Sequence, residues 1–288
     1  MIGSWVNQIV QGVLLGGLYA LFAMGLSLSV GVMRFVNIAH GDLIVLVSFV
    51  ILTLTTNLGL GPLTATLITL PLSFGGGYLL QRLLLQRVLG KDILSVILVT
   101  FGLSIIIQNG LQGSFGADTQ LVRTEEFATA TIGLGDGINV GVLPLTIFVA
   151  AVAMVLLLDL LLYRTRVGVH IRAVSEDLSA ANLVGLPSAR IFAFAQGIVG
   201  ITVAVSAGFM SVWTNFDPTS GPSRLLVAFE AVVLGGLGSL WGTLAGGILL
   251  GVAQSVGAKF DVSWQALAGN LVFLVVFVIR PQGLFPKY

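Results

Sequence analysis

Few side chains in this sequence are placed to do chemistry. Asn37, His40, Gly41 and Asp42 form the densest polar group beside an apolar run. Ionisable groups next to such runs are costly to bury and mark functional positions, so this group is a candidate wall for a solute path. The alternative is structural: Asp42 starts a helix or pairs with Arg34, and His40 bonds a neighbouring carbonyl. Glu230, the only acid from 218 to 260, could meet an ammonium group or a partner's base near an outer mouth, or simply face water there. Gln108 and Asn109 could offer hydrogen bonds to a zwitterion, although polar side chains within apolar helices more often join helices together. Covalent catalysis has no support, because the serines lack a matching His and acid, Asp159 stands alone, and His170 lies far along the chain from His40. With no cysteine and two histidines, disulfides, thiolate metal sites and a cysteine nucleophile are excluded, and neither a metal centre nor a cofactor is expected. No G-x-x-x-x-G-K-[ST] run is present, so the chain does not cradle ATP phosphates in the usual way.

The elements that position these residues are legible in the charge pattern. Apolar residues make up 56% of the 288 and charged residues 9%, too few to dress a soluble surface, where about a quarter is typical. The net charge of +1 leaves no basic face for nucleic acid. Residues 43–81, 93–117, 137–158, 191–216, 231–258 and 262–279 carry no charge, and a helix crosses hydrocarbon with roughly 20 apolar residues. Backbone groups in lipid must pair within their own segment, and the runs do not alternate as barrel strands do, so helices are expected. Spans are predicted near 7–30, 38–60, 62–82, 93–112, 142–162, 191–213 and 263–279, with 225–258 as an eighth block. The expected fold is therefore an all-α polytopic bundle of about eight spans, one transmembrane domain over 1–288.

The eighth block is longer than a single untilted helix needs, and Gly235, Gly236 and Gly238 interrupt it, which predicts a broken or re-entrant element. Gly238, Gly242 and Gly246 repeat every four residues, as do Gly247 and Gly251, and such stripes let a neighbouring backbone approach. Arg34, then Arg82, Arg87 and Lys91, then Arg164, Arg166, Arg172 and Arg190 fall in alternate loops, which places those loops in the cytoplasm and the N-terminus outside. Arg280 and Lys287 also prefer the inside, whereas a count of eight spans sends them out; a double crossing within 225–258 would remove the conflict. The longest loop of the inner set, about 163–190, is charged and helix-forming. Ser175 is a candidate cap for a short helix through Glu176, Asp177, Ala180 and Ala181, with Gly185 at its end and Pro187 beyond. An ordinary solvated loop is the alternative to a docking element.

The stretch "RAVSEDLSAANLVG" resembles the cytoplasmic coupling loop of ABC importer permeases. "GVMRFVNIAHGD" at 31–42, "AVVLGGLGSLWGTLAGGILLG" at 231–251 and "RPQGLF" at 280–285 resemble the permeases of high-affinity branched-chain amino acid uptake systems, whose relatives also carry amides and urea. The resemblance runs over nearly the whole chain. It implies a non-enzymatic permease of the inner membrane with a second homologous permease chain, two cytoplasmic ABC ATPases and an extracytoplasmic substrate-binding protein as partners. It also assigns Arg172, Glu176, Asp177, Ala181 and Gly185 to the coupling loop. An ion-coupled secondary transporter and a structural membrane scaffold are the alternatives; the first would need a charged relay inside the spans, and the second has no use for such a loop.

Overall fold

The computed structural model describes residues 2–89, 92–123, 130–133 and 139–285, so Lys91 and Lys287 of the charge argument lie outside the described residues. Among them are eleven α-helices: α1 (Ile2–Met33), α2 (His40–Leu58), α3 (Pro62–Leu83), α4 (Ile93–Phe115), α5 (Val142–Arg164), α6 (Arg166–Glu176), α7 (Leu178–Leu183), α8 (Ser188–Trp213), α9 (Gly221–Gly235), α10 (Leu240–Phe260) and α11 (Trp264–Ile279). Seven of these, α1 to α5 together with α8 and α10, are long and apolar enough to cross a membrane, and α11 is a shorter apolar helix. The remainder includes two three-residue antiparallel strands that the all-helical reading lacked, β1 (Thr131–Gly133) and β2 (Asn139–Gly141).

Helix α1 is apolar on every side, the pattern of a helix buried all round, and it is the axis of the bundle. Leu18, Phe22, Met24 and Leu26 are sealed from solvent among α5, α8, α9 and α10. Short polar side chains of its neighbours join helices to it: Ser206 of α8 donates to the Leu21 carbonyl at 2.8 Å, and the Thr243 hydroxyl of α10 donates to Ser27 at 2.9 Å. In hydrocarbon such bonds matter because no water competes for them.

The glycine-rich block is not one span. Its first arm begins at Gly221 as α9, the chain reverses between Gly236 and Ser239, and α10 returns antiparallel. Gly235 lies on the backbone of Gly242, and Gly246 on that of Ala231, so the two arms touch main chain to main chain. Gly236 takes φ +105° at the reversal, a conformation L side chains rarely adopt. At 15 residues, α9 is about 22 Å long, short of the roughly 30 Å of a full hydrocarbon crossing.

This reversal settles which ends lie together. Gly238 abuts Gly31 near the end of α1, Ser175 of α6 donates to the Gly31 carbonyl at 2.8 Å, and the amides of Leu284 and Phe285 bond the carbonyls of Leu234 and Gly235. The C-terminal segment therefore shares a face with α6 and α7, against the simple count of eight spans. On the opposite face Lys259 sits 4.0 Å over the Trp5 ring and Gln11 reaches the Asn139 carbonyl of β2 at 2.7 Å.

Candidate functional site

Two helices start inside the bundle, and their N-termini meet. After α1 ends at Met33, residues 34–39 turn back along it, and the His40 Nε2–H donates to the Phe22 carbonyl at 2.9 Å. Phe22 is eleven residues before Met33, about 16 Å of helical rise, so α2 begins deep within the bundle. Non-helical backbone at such depth is tolerated where protein covers it. Here Asn37 supplies the cover: its Oδ1 accepts the Ala39 amide at 3.0 Å and its carbonyl accepts the His40 amide at 3.1 Å.

Gly221, the first residue of α9, is pressed against Gly41 and Asp42, and neither glycine has room for a Cβ. The positive ends of α2 and α9 thus converge at the Asp42 carboxylate. Gln108 of α4 donates to Asp42 Oδ1 at 2.9 Å and to Ser104 at 3.0 Å. Asp42 is 1% exposed. Its Oδ2, His40 Nδ1 and Asn37 Nδ2 have no hydrogen-bond partner among the described residues. Arg34 is not paired with Asp42; its guanidinium donates to the Glu176 carbonyl at 3.4 Å, and its backbone is held at φ +57°.

The other polar candidates separate. Gln108 points into the junction, whereas Asn109 turns outward and bonds the Ile105 carbonyl of its own helix at 2.8 Å. Glu230 does not face water at an outer mouth: it is 4% exposed inside α9. Arg224 of α9 bonds the Asn215 carbonyl at 3.0 Å; sequence reading passed over Tyr19, which donates to Gln254 Oε1 of α10 at 2.5 Å. Their signal was a tyrosine and a glutamine in otherwise apolar stretches.

On the face shared with the C-terminal segment, α6 and α7 lie in succession. Thr165 caps α6, accepting the Gly168 amide at 3.1 Å. The cap of α7 is Asp177, whose Oδ1 accepts the amides of Ser179 and Ala180, each at 2.9 Å. Ser175 is not a cap, since α6 continues through it and turns its hydroxyl towards Gly31. Arg172 stacks 4.8 Å over the Tyr163 ring. Ala181 is buried beneath α7, Gly185 ends the segment at φ +82°, and Leu183 and Val184 project 87% and 77% exposed. A cleft of about 990 Å³ opens beside α6, bounded by residues 34–36, the start of α4, α9 and the end of α11.

Comparison with known proteins gives this arrangement a family. The family described as "Branched-chain amino acid transport system / permease component" matches residues 8–280. The high-affinity branched-chain amino acid transport system permease protein BraD of Pseudomonas aeruginosa is 29% identical over 98% of this chain and 96% of its own length. LivH of Salmonella typhimurium, named likewise, is 24% identical over 98% and 96%, and the probable permease LivH of Methanocaldococcus jannaschii is 27% identical over 96% and 92%. The match runs from α1 through α11 and takes in the buried junction, the α6–α7 face and the glycine hairpin alike, so the chain belongs to the permease-component family of branched-chain amino acid transport systems and is a multi-pass membrane transport subunit.

Proposed function

We propose that this chain is one permease subunit of an ATP-driven ABC importer that carries branched-chain amino acids across the inner membrane. The carrying observation is the family match over residues 8–280. A second, homologous permease completes the pathway, two cytoplasmic ATPases drive it, one of them docking on α6 and α7 of this chain, and an extracytoplasmic binding protein delivers the solute. Residues 1–288 act as a single transmembrane domain with the N-terminus outside, a reading supported by Arg164, Arg166, Arg172, Arg190 and Arg280 on or beside one face.

Mechanically, ATPase closure pushes α6 and α7. Ser175 passes the push to Gly31 and so to the Gly238 turn, tilting α5 and α8 while the α9–α10 hairpin shifts as a unit. Asn37, His40 and Asp42, with Gln108 bonded to Asp42, form the deep polar zone around which the path opens, and Glu230, buried in α9, is a further pathway residue. The test is affinity purification from the native membrane in mild detergent, with mass spectrometry of the co-purifying chains and leucine uptake by reconstituted vesicles. Recovery of a second permease and an ATPase, with ATP-dependent leucine uptake, is the expected result. Recovery of the chain alone, active without ATP and dependent on an ion gradient, overturns it.

A further inference from the structure

The cleft beside α6 combines three features. Its walls are branched and aromatic: Val36 comes from the segment between α1 and α2, Val96 from α4, Phe192 from α8, and Phe229 and Val233 from α9. Its rim is polar, with Arg34 and Glu176 held together by the bond from the Arg34 guanidinium to the Glu176 carbonyl. Arg34 is also the only non-glycine residue with positive φ among the described residues, and strain of that kind persists where surrounding structure enforces it, commonly at ligand clamps. The segment lining the cleft at 34–36 runs directly into Asn37, His40 and Asp42, so cleft and junction are consecutive stations on one stretch of chain.

We infer that this cleft is a binding site for the transported amino acid on the docking-face side of the bundle, selective for zwitterions with branched aliphatic side chains. The aliphatic group lies against Val36, Val233 and Phe229, and the charged groups stay at the rim, the carboxylate on the Arg34 guanidinium and the ammonium on the Glu176 carboxylate. This division matches the usual build of small-molecule pockets, apolar walls with a few placed polar groups. The choice of ligand rests on the proposed function. Because Glu176 ends α6, displacement of α6 separates the two rim groups and releases the solute into the cytoplasm.

The chain has no native cysteine, so single thiols can report on the site. Val36→Cys lies on the segment after α1 and Val233→Cys on α9, and Arg82→Cys, exposed at the end of α3 and away from the cleft, is the control. The complete complex is labelled with a membrane-impermeant maleimide in inside-out vesicles, with and without leucine. At about ten times the half-saturating concentration, leucine slows labelling at both wall positions about tenfold, and lysine does not. Arg82→Cys is unaffected by either. Undiminished labelling at Val36→Cys and Val233→Cys in vesicles that transport leucine overturns this site while leaving the importer reading intact. Absence of leucine transport by the unmodified complex overturns that reading and this site with it.

Discussion

The α9–α10 hairpin and the α6–α7 face both depend on glycine, for opposite reasons. In the hairpin a Cβ on Gly235 would overlap the backbone of Gly242, and one on Gly246 would overlap the Ala231 carbonyl; main chain cannot step aside. At Gly185 nothing lies within 4 Å of the added carbon, and the constraint is the φ of +82°. Gly235 and Gly246 are limited by space and Gly185 by angle. Gly→Ala is therefore a different experiment in each, and a region built on space resists deformation while one built on angle can be reset by a partner.

The largest effect separates the two directly. Gly235→Val drives the arms of the hairpin apart, and overpacking of this kind costs about 1–3 kcal/mol, more when backbone is in the way. The expected outcome is loss of a cooperative melting transition in detergent, while Gly185→Val leaves the transition in place. Equal losses at both sites would erase the distinction. Next comes Asp42→Ala, which leaves the Gln108 amide without its carboxylate partner and should lower stability by about 1–3 kcal/mol in thermal unfolding, with Asp42→Asn milder.

Smaller effects belong to the α6–α7 face. Asp177→Ala removes the cap of α7 at about 1 kcal/mol and should speed hydrogen exchange at Ser179 and Ala180 with no change at α10. Gly185→Ala costs about 1 kcal/mol through its positive φ and should lower leucine uptake per ATP hydrolysed more than it lowers the melting temperature. The smallest concerns pH on the opposite face. Burial pushes the Asp217 carboxyl up, but hydrogen bonds from Ser220 and Thr219, with Arg224 nearby, outweigh burial and hold it below the usual carboxylate range. Its folded-state value is depressed, so its contribution is complete above the unfolded value of about 3.9 and fades as pH falls below it. An Asp217→Asn variant should lose part of the difference in melting temperature between pH 6 and pH 3, both chosen as roughly bracketing that range.

Charge-free runs located most of the fold because hydrocarbon tolerates little else: 142–162 became Val142–Arg164, and 191–213 became Ser188–Trp213. Hydropathy has no direction, however, so it could not show that 225–258 doubles back, although the glycines that permit the reversal were visible. The site was legible by composition and hidden by rotation. Gln108 and Asn109 are adjacent in sequence, but about 100° of helical turn sends one to Asp42 and the other outward. In the α6–α7 segment the sequence pointed to Ser175 as the cap and placed Asp177 inside the helix; the contact of α6 with α1 takes up the Ser175 hydroxyl and leaves Asp177 to cap α7, a tertiary fact that no local signal carries. Strands β1 and β2 are too short for any periodicity to register.

The register between the arms of the hairpin has a consequence for how such a chain can change over time. Side chains that point outward can be exchanged freely, but a single inserted residue in α9 or α10 rotates everything beyond it by about 100° and brings a side chain where only Gly235, Gly242 or Gly246 fits. The lengths of the two arms are thus locked to each other, and an insertion that survives in one must be matched by a compensating one in the other.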